Sequence, residues 1–178
     1  FPYNSLAVLS DGGRTGRPRK EQFAPGAFAY SVENAQELHL LYGHSYDRPL
    51  ASRKSGTFDL EDTPEALLFE ARIAPEMQEV GYVRDAMAAL SAGLIAGVSP
   101  GFRIPPQQTV PNAETVEEED PSEGRALIRT INEAILAEIS LVSRPAYSET
   151  EIEARSWAPK RQSRTGVYNP YEGIVRWR

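Results

Sequence analysis

Ala92-Gly-Leu-Ile-Ala-Gly97-Val-Ser99-Pro-Gly101-Phe-Arg103 is the stretch that decides the fold. It completes a helical pattern in which Met77, Val80, Val83, Met87, Leu90 and Leu94 recur after Pro75, a residue suited to a helix's first turn. Gly93 and Gly97 bracket the helix end, and Phe102 and Ile104 continue as a strand. Ser99 is expected in the turn between them, with Gly97 and Gly101 at i−2 and i+2. That is the spacing of a nucleophile elbow, but an elbow runs strand, serine, helix. Here the order is helix, serine, strand, which excludes the α/β-hydrolase arrangement. On this motif alone, a cap of small residues feeding a strand outweighs a nucleophile.

Elsewhere in the chain, apolar runs predict strands at Tyr3–Leu9, Leu38–Tyr42, Ala66–Ile73, Ala126–Thr130 and Ile135–Val142. Leu50–Ser52 and Gly56–Leu60 read as a further pair. Asp11–Lys20, His44–Pro49 and Arg144–Tyr147 read as loops or turns, with short helices near Tyr30–Glu33 and Ser148–Arg155. Pro105–Gly124 contains four prolines and an acidic cluster and reads as an exposed excursion within the domain. Strands outnumber helices, and most connections read as hairpins. The fold class expected is α+β, a mostly antiparallel β-barrel or sandwich with a few helices.

Composition narrows the function. The chain has 178 residues, 40% hydrophobic and 25% charged, as in an ordinary globular domain. No run approaches the roughly 20 apolar residues of a membrane helix. The absence of cysteine excludes disulfides, cysteine zinc ligands and a cysteine nucleophile. A net charge of −6 gives no case for direct nucleic-acid binding. Residues 155–178 depart from this balance: Arg155, Lys160, Arg161, Arg164, Arg176 and Arg178 face the single acid Glu172. They read as a basic C-terminal tail following a domain over 1–154.

The chemistry-bearing candidates are few. His44 follows an apolar run at a strand end, where a general base can be displayed, whereas His39 lies within that run and reads as structural or surface. A base needs an orienting partner, and Asp47, Glu133 and Glu138 are the candidates. Glu138 stands out, because it lies inside Ile135-Leu-Ala-Glu-Ile-Ser-Leu-Val142 and costs free energy to bury unless it is paired. Gly101 and the Ser143–Arg144 turn are candidates for an oxyanion hole. Pro100 lacks a backbone N–H and cannot contribute one. A rival set, His39 and His44 with nearby carboxylates, would make a metal-dependent hydrolase. No cofactor is expected.

Four segments in order resemble the prohead maturation proteases of tailed bacteriophages. They are Phe23-Ala-Pro-Gly-Ala-Phe28, Leu40-Leu-Tyr-Gly-His44 with Arg48-Pro-Leu50, Ala92–Arg103, and Ala137-Glu-Ile-Ser-Leu-Val-Ser-Arg-Pro-Ala146. Together they reverse the reading of Ser99 as a mere cap. The resemblance implies that Ser99 matches the nucleophile, His44 the base and Glu138 the third, acidic position. It also implies a fold similar to the herpesvirus assembly proteases, a β-barrel surrounded by helices, and by analogy a dimer. The implied task is cleavage of scaffold and major-capsid-protein extensions, and of the protease itself, inside the immature shell in the host cytoplasm. An inactive capsid-assembly module of the same fold is the alternative. Tyr-Gly before His44, Ser45 after it and Pro100 depart from the commoner family neighbours.

Overall fold

The computed structural model describes residues 1–147, 149, 150 and 152. In chain order its elements are β1 (Ala7–Ser10), β2 (Arg19–Phe23), α1 (Ala29–Asn34), β3 (His39–Tyr42), β4 (Ser45–Ser52), β5 (Phe58–Asp62) and β6 (Leu67–Ala71). A 3₁₀ turn (Pro75–Glu79) and α2 (Gly81–Ser91) follow, then β7 (Gly97–Arg103), β8 (Glu114–Glu118), β9 (Leu127–Ile131) and β10 (Ile135–Val142). One sheet has the order β1-β2-β9-β8, a second β4-β3-β10-β7, and β5-β6 forms a separate hairpin. Among the described residues only β2–β9 and β3–β10 pair in parallel. The class is therefore α+β, mostly strands with few helices. None of these sheets closes on itself in the pairing.

Several expectations are corrected. His44–Pro49 is not a loop, because the chain reverses in a two-residue turn at Gly43 and His44 (φ 64° and 58°) and re-enters the sheet at Ser45. Two successive positive φ values are the signature of a tight hairpin turn matched to strand twist. Pro49 is tolerated there because β4 is an edge strand. Leu50–Ser52 is the end of β4 and pairs with β3, while β5 pairs with β6. The helical pattern after Pro75 is broken by extended backbone at Val80 (φ −72°, ψ 133°). Tyr3 belongs to the core rather than to β1. Residues 105–124 are not all excursion, since they contain β8, whose acids meet cations across the sheet. Arg19–Phe23, whose first two residues fall in the expected Asp11–Lys20 loop, is a strand whose Glu21 pairs with Arg129 at 2.7 Å. The expected helix over Ser148–Arg155 and the basic tail fall largely outside the described residues.

The core explains how the second sheet is aimed. Phe23, Phe28, Phe102 and Tyr147 form an aromatic cluster joined by edge-to-face and stacked contacts. On β7 and β10 the inward pairs are Val98 with Leu141, Pro100 with Ile139, and Phe102 with Leu136. Strict alternation would put Glu138 on the same face as Leu136. The register shifts between Leu136 and Glu138, leaving Ala137 without a partner on β7. This bulge re-phases the strand, so Leu136 and Ile139 both face the core while Glu138 and Ser140 face the other way. The start of β10 is held by α1, where Ser31 Oγ accepts the Leu136 N–H at 2.9 Å.

Candidate active site

The outward face of the β7–β10 pair carries the candidate residues. Ser99 lies directly across from Ser140, and Gly101 across from Glu138. The sequence placed Ser99 in a turn, but β7 already begins at Gly97, so Ser99 is a strand residue. The turn lies earlier, where α2 ends with Gly93 at φ 71° and the Leu94 N–H donates to Ala89 O at 2.8 Å. That Schellman-type closure delivers the chain to the sheet edge before Ser99. As the other edge strand of this sheet, β7 also accommodates Pro100.

His44 reaches the same face from the β3–β4 turn. Its left-handed backbone is anchored twice: the Gly43 N–H donates to Leu141 O at 3.0 Å, and the His44 N–H to Ser140 Oγ at 3.0 Å. His44 Nδ1 lies 2.7 Å from Glu138 Oε1. The His44 side chain is 48% exposed and that of Glu138 only 5%, so one side of the imidazole rests on a buried carboxylate while the rest meets solvent. An ionised carboxylate only accepts hydrogen bonds, so this contact puts the imidazole proton on Nδ1. Nε2 is left with the lone pair a general base needs. The second carboxylate oxygen, Oε2, accepts the Ser140 hydroxyl at 2.6 Å.

Gly101 makes room for this. A Cβ there would lie 2.1 Å from Glu138 Oε1, far inside van der Waals contact. Gly97 is constrained similarly from outside the sheet, where a Cβ would lie 2.4 Å from Thr150 Oγ1. Thr150 is buried, accepts the Val98 N–H at 3.2 Å and donates to Tyr147 O at 3.0 Å. The segment after β10 is thus tied to β7 one residue before Ser99.

Of the three proposed partners for His44, Glu138 is the one in contact. Asp47 is exposed on β4, and Glu133 precedes β10, with its N–H donating to Ala113 O. Arg144 is exposed just beyond β10. His39 pairs in register with Glu138, stacks edge-on with Tyr46 at 6.1 Å, and leaves its buried Nδ1 without a partner. Among the described residues no hydrogen bond joins Ser99 to His44, and no group of three or more His, Asp or Glu side chains is placed to hold a metal ion. Sequence reasoning missed Ser140 and Thr150. The signal for Ser140 was available, since Glu138 and Ser140 at i and i+2 of one strand share a face.

A family model described as caudovirus prohead serine protease matches residues 9–163, most of the chain. No curated protein and no solved structure matches it. By the extent of the family match, this chain belongs to the caudovirus prohead serine proteases.

Proposed function

We propose that this chain is a serine endopeptidase in which Ser99 is the nucleophile, His44 the general base and Glu138 the group that orients His44. The observation that carries the reading is the 2.7 Å contact between His44 Nδ1 and the buried Glu138 carboxylate, on the face that bears Ser99. In the proposed reaction Ser99 Oγ attacks the scissile carbonyl carbon as His44 Nε2 takes its proton. Glu138 stabilises the imidazolium, which then protonates the leaving amine. Water, deprotonated by His44, releases the acyl group and restores Ser99. Gly101 and Arg144 are the candidate oxyanion donors.

The substrates proposed are the scaffold and major-capsid-protein extensions of the immature shell, and the protease itself. The reading places the enzyme inside that shell in the host cytoplasm, over residues 1–154, with 155–178 as a basic tail. It takes the fold as the barrel of the herpesvirus assembly proteases and the oligomer as a dimer by the same likeness. A latent module of this fold is the second reading, favoured by the absence of a Ser99–His44 hydrogen bond among the described residues. Catalytic bonds often close only when substrate binds, so an open Ser99–His44 pair is compatible with the first reading. Co-expression with the cognate major capsid protein tests it. Capsid protein shortened by the wild-type chain but full-length with Ser99→Ala supports an endopeptidase. Full-length protein with both, held in a stable complex, supports the latent module.

A further inference from the structure

We propose that Ser140 is a positioning residue that couples the main chain of the His44 turn to the Glu138 carboxylate; the proposal rests on the catalytic reading above. Ser140 is fully buried, and its hydroxyl uses both of its capacities on the site. It donates to Glu138 Oε2 at 2.6 Å and accepts the His44 N–H at 3.0 Å. A hydroxyl has one proton to give, and here it goes to the carboxylate oxygen that His44 does not use.

The geometry closes a ring. From the His44 backbone the path runs through Ser140 Oγ to Glu138 Oε2, across the carboxylate to Oε1, and back through Nδ1 to the His44 ring. Each bond restrains a different freedom: the turn's main chain, the Glu138 rotamer and the imidazole plane. The ring matters because His44 holds a left-handed backbone (φ 58°) that only a minority of side-chain-bearing residues adopt. It matters also because Glu138 is buried, where an unsatisfied carboxylate oxygen is costly. Ser140 lies directly across from Ser99, so the same residue sets its turn and carboxylate contacts beside the nucleophile's strand. It need not touch substrate to do so.

The test compares wild type with Ser140→Ala, Ser140→Thr and Ser140→Cys by two independent readouts. Imidazole NMR follows the His44 Nδ1 proton and the titration of the ring, with His44→Ala identifying the signals. Fluorophosphonate labelling gives the rate of Ser99 modification, with thermal unfolding confirming the folded fraction. Ser140→Ala is expected to lose or broaden the Nδ1 proton signal and shift the ring's titration. Its labelling should slow by about ten- to a hundredfold, the size of a lost hydrogen bond to a charged group. Ser140→Thr should restore both, and Ser140→Cys, a weaker donor, should fall between.

A wild-type-like His44 signal and titration in folded Ser140→Ala overturns the proposal. If the alanine variant does not fold, the cysteine variant decides by the same two readouts. If wild type is not labelled while the NMR signature still depends on Ser140, the catalytic reading fails and the positioning role stands. If labelling requires His44 but is equal in wild type and Ser140→Ala, the positioning role fails and the catalytic reading stands.

Discussion

Glu138 lies directly across from Gly101, and its carboxylate occupies the space a side chain at Gly101 would fill. The glycine beside the candidate nucleophile is therefore a requirement of the carboxylate. With a Cβ only 2.1 Å from Oε1, Gly101→Ala must push Glu138 away from His44. We expect labelling of Ser99 to slow by about a hundredfold or more, with about 1–3 kcal/mol of stability lost to overpacking. Labelling rates and denaturant unfolding of the same preparation check both. A fully active Gly101→Ala would mean that the carboxylate is not needed where it lies.

Glu138→Gln keeps the size of the side chain but replaces a carboxylate oxygen at His44 Nδ1 with a group that can donate. An amide nitrogen facing Nδ1 would donate to it and move the imidazole proton to Nε2, the atom that accepts the serine's proton in the proposed mechanism. Cleavage should fall by roughly 10²–10⁴-fold with the fold intact, the range set by analogous acid-to-amide changes in serine proteases. Cleavage rates alongside circular dichroism decide the matter.

The charged sheet should govern behaviour in acid. Hydrogen bonds from Lys20 and the Ala126 N–H hold the Glu119 carboxyl below its ordinary range, and the Arg17 guanidinium does the same for Glu118. A carboxyl lowered in the folded state adds stability above the ordinary carboxylate range, and that stability is lost as pH falls through the folded value. Thermal midpoints should therefore drop as pH falls from about 5, and Glu119→Gln should flatten that slope. An unchanged slope would show that Glu119 is not held by these partners.

Thr150 should matter for β7 without touching His44. Thr150→Val removes the acceptor of the buried Val98 N–H and should cost about 1–3 kcal/mol. Gly97→Ala should be at least as costly, because its Cβ would meet both Thr150 and Pro145. Urea unfolding of each variant measures the loss, and hydrogen exchange at Val98 locates it.

Much of the site's sheet was legible in the sequence, and the reasons are local. Ile135–Val142 is a strand with the expected boundaries because its apolar run is interrupted only by Glu138, the residue whose burial demanded a partner, and Ser140. Leu67–Ala71 and the helix at Ala29–Asn34 were equally readable. What could not be read depends on partners distant in sequence. β2 and β8 are too polar to announce themselves, yet Lys20 meets Glu119, and Glu21 and Glu114 meet Arg129, across strand pairings no local pattern encodes. β4 was obscured by Pro49 and its charges, which an edge strand tolerates. The bulge at Ala137 was invisible because regular alternation is the default reading, although it alone decides which face Glu138 takes. Ser140 was missed although its spacing puts it on the face of Glu138, because its second partner, the His44 N–H, comes from a turn distant in sequence.

Fluorophosphonate labelling of the purified protein, with the modified residue mapped by mass spectrometry and His44→Ala run in parallel, puts the pairing of Ser99 with His44 to the test. A single adduct on Ser99 that the His44→Ala variant fails to form is expected. An adduct on another serine, or equal labelling of Ser99 without His44, would contradict it.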